Sequence, residues 1–196
     1  MSIVLPQLIP RLRRHRKPIN DYGVVEKKAA VAISLASING DVCLLMIRRA
    51  ERAGDPWSGH MGFPGGRRDN ADTTNLACAK RETHEELGVD LNQCAELVCE
   101  LGEVNTGWRP DRPELLVTPF VFELKTVPAM TPNHEVDGVV WVPMHFLLDR
   151  SNRIPLKWQW QNRDIESDSY EFEGHRIWGL SLMMLDELMQ ARSEER

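Results

Sequence analysis

The segment that most restricts what this chain can fold into is a long loop that runs straight into an acidic helix. From Arg48 to Thr73 no hydrophobic period is sustained, and Gly54, Pro56, Gly59, Gly62, Pro64 and Gly65 punctuate the stretch before Gly66. A loop of that length inside a compact domain usually carries function rather than mere connection. From about Thr74 to Leu87 apolar residues return at helical spacing. Leu76, Ala79, Thr83 and Leu87 share one stripe, Asp72 or Thr73 offers an N-cap, and Gly88 marks the stop.

Strands flank this helix on both sides. Ala29–Leu35 and Val42–Ile47 are apolar runs separated by Asn39-Gly40-Asp41, which predicts a hairpin. Further strand-like runs lie around Leu97–Val104, Leu115–Leu124 and Val136–Val142, and a last helix spans about Leu180–Arg192. Strands before and after a central helix, closed by a terminal helix, predict an α/β sandwich around a mixed sheet. Residues 1–22 read as a basic N-terminal arm, broken by Pro6, Pro10 and Pro18 and charged by Arg11, Arg13, Arg14, His15, Arg16 and Lys17. A solvated arm is the ordinary reading of such a cluster, with a targeting peptide or an anionic-surface contact as alternatives. Residues 23–196 then form a single domain.

The length of 196 residues with 42% hydrophobic side chains suits one substantial core. A formal net charge of −5 argues against a sequence-independent polyanion binder, so no nucleic acid partner is expected and small molecules are favoured. The four cysteines form no C-x-x-C pair, which points to reduced thiols in a cytoplasmic protein. No apolar run reaches the roughly 18 residues that a membrane-spanning helix needs, so no membrane partner is expected.

The chemistry concentrates in Arg81-Glu82-Thr83-His84-Glu85-Glu86. At 100° per residue Glu82, Glu85 and Glu86 fall within a sector of about 100°, on the flank of the apolar stripe, while His84 points away. Three carboxylates held this close repel one another and favour protonation unless a cation is supplied. A hard divalent ion such as Mg²⁺ relieves that cost while bridging to phosphates. Arg81 stands one turn before Glu85 and can orient it. Glu-rich helix surfaces are ordinarily just solvated. What tips the balance is Phe63-Pro64-Gly65-Gly66-Arg67-Arg68 immediately upstream, where glycines allow close backbone approach and guanidinium forks can hold phosphates.

Gly66 through Val89 resembles the Nudix box, G-x5-E-x7-R-E-U-x-E-E-x-G-U with U apolar. Asp72 stands at the position of the first acid, eight residues rather than seven separate it from Arg81, and Thr83 takes the apolar place after Arg81-Glu82. These departures are similar to a subset of the superfamily that includes the coenzyme A diphosphatases. Arg49-Ala50 and Ser58 through Gly66 resemble the motif that precedes the box in that subset, L-L-T-x-R-[SA]-x3-R-x3-G-x3-F-P-G-G, with Ile47 in place of Thr and Gly54 in place of the second Arg. Val117–Val121, Asn133-His134-Glu135-Val136, Trp141-Val142-Pro143 and Ile177–Leu180 resemble the later elements, so the likeness covers roughly residues 25–190.

The resemblance implies a Nudix-like α/β/α sandwich and Mg²⁺- or Mn²⁺-dependent hydrolysis of a diphosphate bond in a small-molecule nucleotide substrate. It implies Glu82 and Glu86 as main metal ligands, with Glu85 completing the site or taking a proton from the attacking water, and the Gly66 carbonyl as a further ligand. Arg81 would orient the cluster, Glu135 is a second candidate base, and Gly65, Arg49, Arg67 and Arg68 are substrate contacts. Coenzyme A or an acyl-coenzyme A would give 4′-phosphopantetheine and adenosine 3′,5′-bisphosphate, with Arg48, Arg49 and Arg52 as candidate contacts for the 3′-phosphate. One of Trp57, Trp108, Trp158 and Trp160 offers a stacking surface, and His60 stays open as a ligand. Many relatives are homodimers. ADP-ribose, a nucleotide sugar or a dinucleoside polyphosphate are alternative substrates, and a non-catalytic ligand sensor is the alternative from another class.

Overall fold

The computed structural model describes residues 4–52, 58–107, 114–160 and 163–193, with the side chains of 158–160, 163 and 193 excepted. In chain order the elements are α1 (Leu5–Leu12), β1 (Lys28–Ile38), β2 (Asp41–Arg49), β3 (Met61–Gly62), β4 (Gly65–Arg67), α2 (Asn75–Leu87), α3 (Leu91–Cys94) and β5 (Ala95–Glu100). They continue with β6 (Val104–Asn105), β7 (Leu116–Leu124), β8 (Val136–Pro143), α4 (Met144–Leu148), a 3₁₀ turn (Arg150–Asn152), β9 (Arg153–Trp160), β10 (Arg163–Phe172), β11 (His175–Ile177) and α5 (Gly179–Ser193).

Period-two alternation along the hairpin strands sets the layers. Ala30, Ala32 and Ala36 of β1 join Leu45 and Ile47 of β2 on one face; Ile33, Leu35, Val42, Leu44 and Met46 belong to the other. The hairpin turns at Asn39 and Gly40, with φ of 52° and 88°, and pairs Ile38 with Asp41. Positive φ at both central residues matches the twist of the strands, which is why Asn-Gly serves there. The sheet has eight strands and follows the path β3-β2-β1-β7-β5, with β8 on β2, β4 on β1 and β6 on β7. β1 and β7 run parallel and the other pairs antiparallel, so the sheet is mixed as expected.

The alanine-rich face lets α2 approach closely through Cys78, Ala79 and Leu87, together with Phe120 and Phe122 of β7. Leu182, Leu185 and Leu188 of α5 and four apolar residues of α1 cover the opposite face. The result is an α/β/α sandwich around a mixed sheet. No helix among the described residues is long and apolar enough to cross a membrane.

Two expectations are corrected. Residues 5–12 are not part of a solvated arm: Leu5, Leu8, Ile9 and Leu12 are buried in the core beside α5. Pro6 sits in the first turn of α1, where its missing N–H costs nothing, and the apolar packing outweighs the interior Pro10. Beyond α1 the chain is more exposed but is tied to the domain by polar contacts from Arg13, His15, Lys17, Asn20 and Tyr22. Arg13 pairs with Glu96 at 2.7 Å, His15 with Glu187 at 3.0 Å, and Lys17 with Glu100. Asn20 and Tyr22 both donate to the Glu103 carbonyl. In a run where nearly every residue is basic, these contacts leave no mark in the hydrophobic pattern.

The second correction is the three-stranded antiparallel sheet β11-β10-β9, for which no strand was read. Its strands mix charge with apolar residues, and Arg153 anchors it by two guanidinium bonds to Asp186 of α5 (2.7 and 2.9 Å) and one to Asp168 (2.8 Å).

Candidate functional site

The glycine-rich segment is built into the sheet. β3 pairs with the far end of β2 and β4 with the start of β1, so Met61–Arg67 fills the gap where the hairpin strands splay apart, and Ala32 N–H donates to the Pro64 carbonyl at 2.8 Å. Glycine is required at Gly65: with φ 153° a Cβ there would stand 2.3 Å from the Ala30 carbonyl oxygen. At Gly66 a Cβ would meet the Glu82 carboxyl carbon at 2.5 Å. The two glycines therefore let β4 lie directly beneath the acidic flank of α2.

α2 itself is capped by Thr74, whose hydroxyl accepts from Ala77 N–H at 3.0 Å, and ends at Gly88 in the left-handed region with φ 70°. Asp72, expected as a possible cap, is otherwise engaged. Its carboxylate takes Arg81 Nε at 3.0 Å, Arg81 Nη2 at 2.9 Å and the Asp69 N–H at 2.8 Å. The hydrogen bonds from Arg81 hold Asp72 down at about 2 in spite of its burial. Arg81 also donates to Glu85 at 2.9 Å, to Glu82 at 2.9 Å and to the Arg67 carbonyl at 3.1 Å. It is the hub of the loop and helix junction.

The three helix carboxylates do not share one environment. Glu86 is 2% exposed, and its Oε2 accepts from the Gly65 N–H at 2.9 Å. Burial pushes its carboxyl up to about 7; the Gly65 N–H and the Arg49 charge act against this, and the charges of Glu82 and Glu135 add to it. Glu82 is half-buried and also raised, chiefly by burial, with Arg81 opposing and Glu85 and Glu135 reinforcing. Glu85 keeps a side chain 51% exposed and is held by Arg81 on the outer flank. Glu82 and Glu86 thus face the loop, and Glu85 lies a further step round the helix toward solvent.

Glu135 approaches from the loop before β8. Thr131 and Asn133 donate backbone N–H groups to the carbonyls of Leu87 and Glu86, at 2.8 and 2.9 Å, which fastens this loop to the end of α2. The Glu135 carboxylate meets Arg52 Nη1 at 3.1 Å. Arg48 is paired with Asp137 at 3.1 Å. Arg68, expected at the substrate, is spent on the loop: it donates to the carbonyls of Asp72 (3.2 and 3.0 Å) and Thr73 (3.0 Å) and reaches Asn75. Arg67 is exposed and its side chain meets no acidic partner among the described residues. The His60 ring packs on Trp178 at 5.0 Å, and His84 lines an outer depression with Thr74, Lys80, Arg81 and Asn92 that includes neither Glu82 nor Glu86. Trp57 and Trp108, and the side chains of Trp158 and Trp160, lie outside the described residues.

Among the described residues no three His, Cys, Asp or Glu side chains already converge as a metal cage. The donor chemistry nevertheless suits a hard cation. Glu82 and Glu86 carry oxygen donors that burial and mutual repulsion drive toward the proton-bound form, and that is the cost a divalent ion removes. The clamp of Asp72 on Arg81, the Gly65 N–H on Glu86 and the pairing of Arg52 with Glu135 were not read from the sequence. Only the first had a signal there, in the position of Asp72 relative to Arg81.

A model of the Nudix domain matches residues 26–163, well over half of the chain. The chain is 39% identical over 109 residues to an uncharacterized Schizosaccharomyces pombe protein, C14C4.10c, covering 54% of this chain and 33% of that protein. It is 30% identical over 168 residues to the human mitochondrial coenzyme A diphosphatase NUDT8, covering 83% of this chain and 68% of that protein. It therefore spans about a third of the first relative's length and about two thirds of the second's. The crystal structure of a Caenorhabditis elegans Ap4A hydrolase binary complex matches 64% of this chain and 84% of its own with a TM-score of 0.51 and 20% identity, a likeness of fold.

Proposed function

Because the chain belongs to the Nudix family, we propose that it is a divalent-cation-dependent pyrophosphohydrolase that cleaves the diphosphate bond of coenzyme A or an acyl-coenzyme A. The observation that carries the reading is Glu86: a carboxylate 2% exposed, raised to about 7, and anchored through the Gly65 N–H to the glycine-rich strand. Burial with this little compensation is an arrangement by which functional sites shift a carboxylate upward.

In this reading Glu82 and Glu86 hold Mg²⁺ or Mn²⁺, with the Gly66 carbonyl as a further donor. When bound, such a cation would supply charge neutralisation for the diphosphate and acidify a water molecule for attack. Arg81 sets the rotamers of Glu82 and Glu85 and itself is fixed by Asp72. Arg49, whose charge is felt at Glu86, and Arg67 bind the phosphates, while Arg68 secures the approach to α2. Both candidates are paired with an arginine, Glu85 with Arg81 and Glu135 with Arg52, and Glu135 is favoured as the proton acceptor because its charge acts on both Glu82 and Glu86 whereas that of Glu85 acts on Glu82. The coenzyme A assignment is supported by the relationship to NUDT8 and by the run from Arg49 to Gly66. The four free cysteines support a reducing compartment such as the cytoplasm.

The test is hydrolysis of coenzyme A, acetyl-coenzyme A, ADP-ribose, NADH, UDP-glucose and diadenosine tetraphosphate with Mg²⁺ or Mn²⁺, products being resolved by mass spectrometry. Metal-dependent release of adenosine 3′,5′-bisphosphate by the wild type, with a loss of about two to three orders of magnitude in Glu86→Gln, is expected. Preferential cleavage of another compound overturns the coenzyme A assignment. Cleavage of none, with no divalent-cation binding, overturns the catalytic reading.

A further inference from the structure

Arg52 and Glu135 lie on two different loops that meet at the open side of the acidic cluster. The Arg52 loop is tied at its base: Arg49 N–H donates to the His60 carbonyl at 3.0 Å, Gly59 N–H to the Arg49 carbonyl at 3.2 Å, and Arg52 N–H to Ser58 Oγ at 2.8 Å. Ala50 N–H donates to the Glu135 carbonyl at 2.7 Å, so the two loops are joined through their backbones beside the side-chain ion pair. Glu135 is oriented by its own N–H, which donates to Asn133 Oδ1 at 2.7 Å, and Asn133 is bonded to the Glu86 carbonyl. The exposed His134 ring is a further neighbour of the Glu135 carboxylate, at 3.9 Å. Arg52 is thus a counter-charge held within hydrogen-bond distance of Glu135, a carboxylate whose charge acts on both Glu82 and Glu86.

Resting on the cation site proposed above, we infer that Arg52 is a displaceable counter-ion: it pairs with Glu135 in the cation-free protein, yields that carboxylate's field to an entering divalent cation, and then meets an anionic group of the nucleotide. Cation and guanidinium compete for the same negative field, so each weakens the other's hold on it. The ion pair is partly solvated, with side chains 39% and 35% exposed, so the competition is modest and reversible. The released guanidinium makes nucleotide binding tighter when the cation is present, and by linkage the nucleotide tightens the cation equally. Arg52 acts in this scheme as a positioning residue that couples the two ligands.

The test uses the full chain without substrate, titrated with Mn²⁺ by calorimetry, and with ADP as the anionic probe with and without saturating Mn²⁺. Arg52→Gln is expected to bind Mn²⁺ about three- to fivefold more tightly, the range that a partly exposed pair supports. Arg52→Lys restores the wild-type affinity, and in a Glu135→Gln background the Arg52 substitution has no effect. ADP binding at saturating Mn²⁺ weakens about threefold in Arg52→Gln and stays unchanged without the metal. Unaltered or weaker Mn²⁺ binding in Arg52→Gln overturns the inference while leaving the cation site intact, provided Glu86→Gln still loses Mn²⁺. Equal Mn²⁺ binding by wild type and Glu86→Gln overturns the cation site itself, and the inference with it.

Discussion

Asp72 and Glu86 are both buried carboxylates, packed at either end of the same loop and helix unit, yet their protons are held oppositely. Asp72 is held near 2 by two guanidinium bonds and a backbone N–H. Glu86 is lifted to about 7, with one backbone N–H and the Arg49 charge opposing its burial. Both are little exposed, at 6% and 2%, but Glu86 lies deeper, so burial leads at Glu86 while the Arg81 bonds lead at Asp72, and depth and compensation together set the opposite signs. A fully compensated acid is a structural fastener. An under-compensated one costs stability, and a fold that retains it leaves room for a ligand of positive charge. One helix governs both because Arg81 reaches back to Asp72 in the preceding loop and leaves Glu86, on the inner side, to the sheet.

The contrast breaks most sharply on replacement of Asp72. Asp72→Ala takes two hydrogen bonds from the Arg81 guanidinium, leaves it Glu82, Glu85 and the Arg67 carbonyl, and removes the acceptor of the Asp69 N–H. Removing one partner of a buried pair costs 3–5 kcal/mol, and because Arg81 is 29% exposed the loss should fall at about 3 kcal/mol. For a chain of this length that is a Tm lower by roughly 6–12 °C, read by calorimetry.

Glu86→Gln should move stability the other way. The carboxyl is raised from 4.5 to about 7 in the folded protein, so protonation supports folding fully below pH 4.5 and that support is lost as pH rises to 7. The amide still accepts the Gly65 N–H and never ionises. Metal-free Glu86→Gln is therefore expected to exceed the wild type by up to about 2–3 kcal/mol at pH 8 and to match it at pH 4. Equal stability at pH 8 means that Glu86 is better compensated than its surroundings indicate. Asp72→Asn has the mirror-image profile. The wild-type advantage, about 2 kcal/mol, is present above pH 3.8 and lost as pH falls toward 2, which is checked by the difference in Tm between the two proteins across that window.

Much of this unit was legible in the sequence, because it depends on local geometry. The 100° step placed Glu82, Glu85 and Glu86 on the flank of the stripe, and the i,i+4 spacing foresaw the bond from Arg81 to Glu85. The step could not say that Glu85 would fall on the solvent side of the sector, since that depends on how far the alanine face of β1 lets the helix roll and sink. Nor could it see Arg68 turning back on the Asp72 and Thr73 carbonyls, because backbone acceptors have no signature in residue type. The contacts of residues 13–22 along β5 and the sheet of β9, β10 and β11 escaped for a related reason. Their charged residues are satisfied by distant acids such as Glu187 and Asp186, and the buried residues of the sheet, Ser169, Tyr170 and Ile177, are too few to set a hydrophobic period.

The smallest expected stability effect gives the finest test of how loosely the acidic flank is held. In Gly66→Ala the new methyl would stand 2.5–2.6 Å from the Glu82 carboxyl group, the far end of a flexible side chain that can swing aside. The backbone at Gly66 is not in the left-handed region, so alanine brings no conformational strain, and stability should change by less than about 1 kcal/mol. The displaced carboxylate nevertheless leaves its place beside the glycine-rich strand, so Mn²⁺ affinity measured by calorimetry should weaken at least about tenfold. A variant that loses stability as Asp72→Ala does, with its cation affinity intact, would place Glu82 with Asp72 among the fasteners and confine the under-compensated region to Glu86 alone.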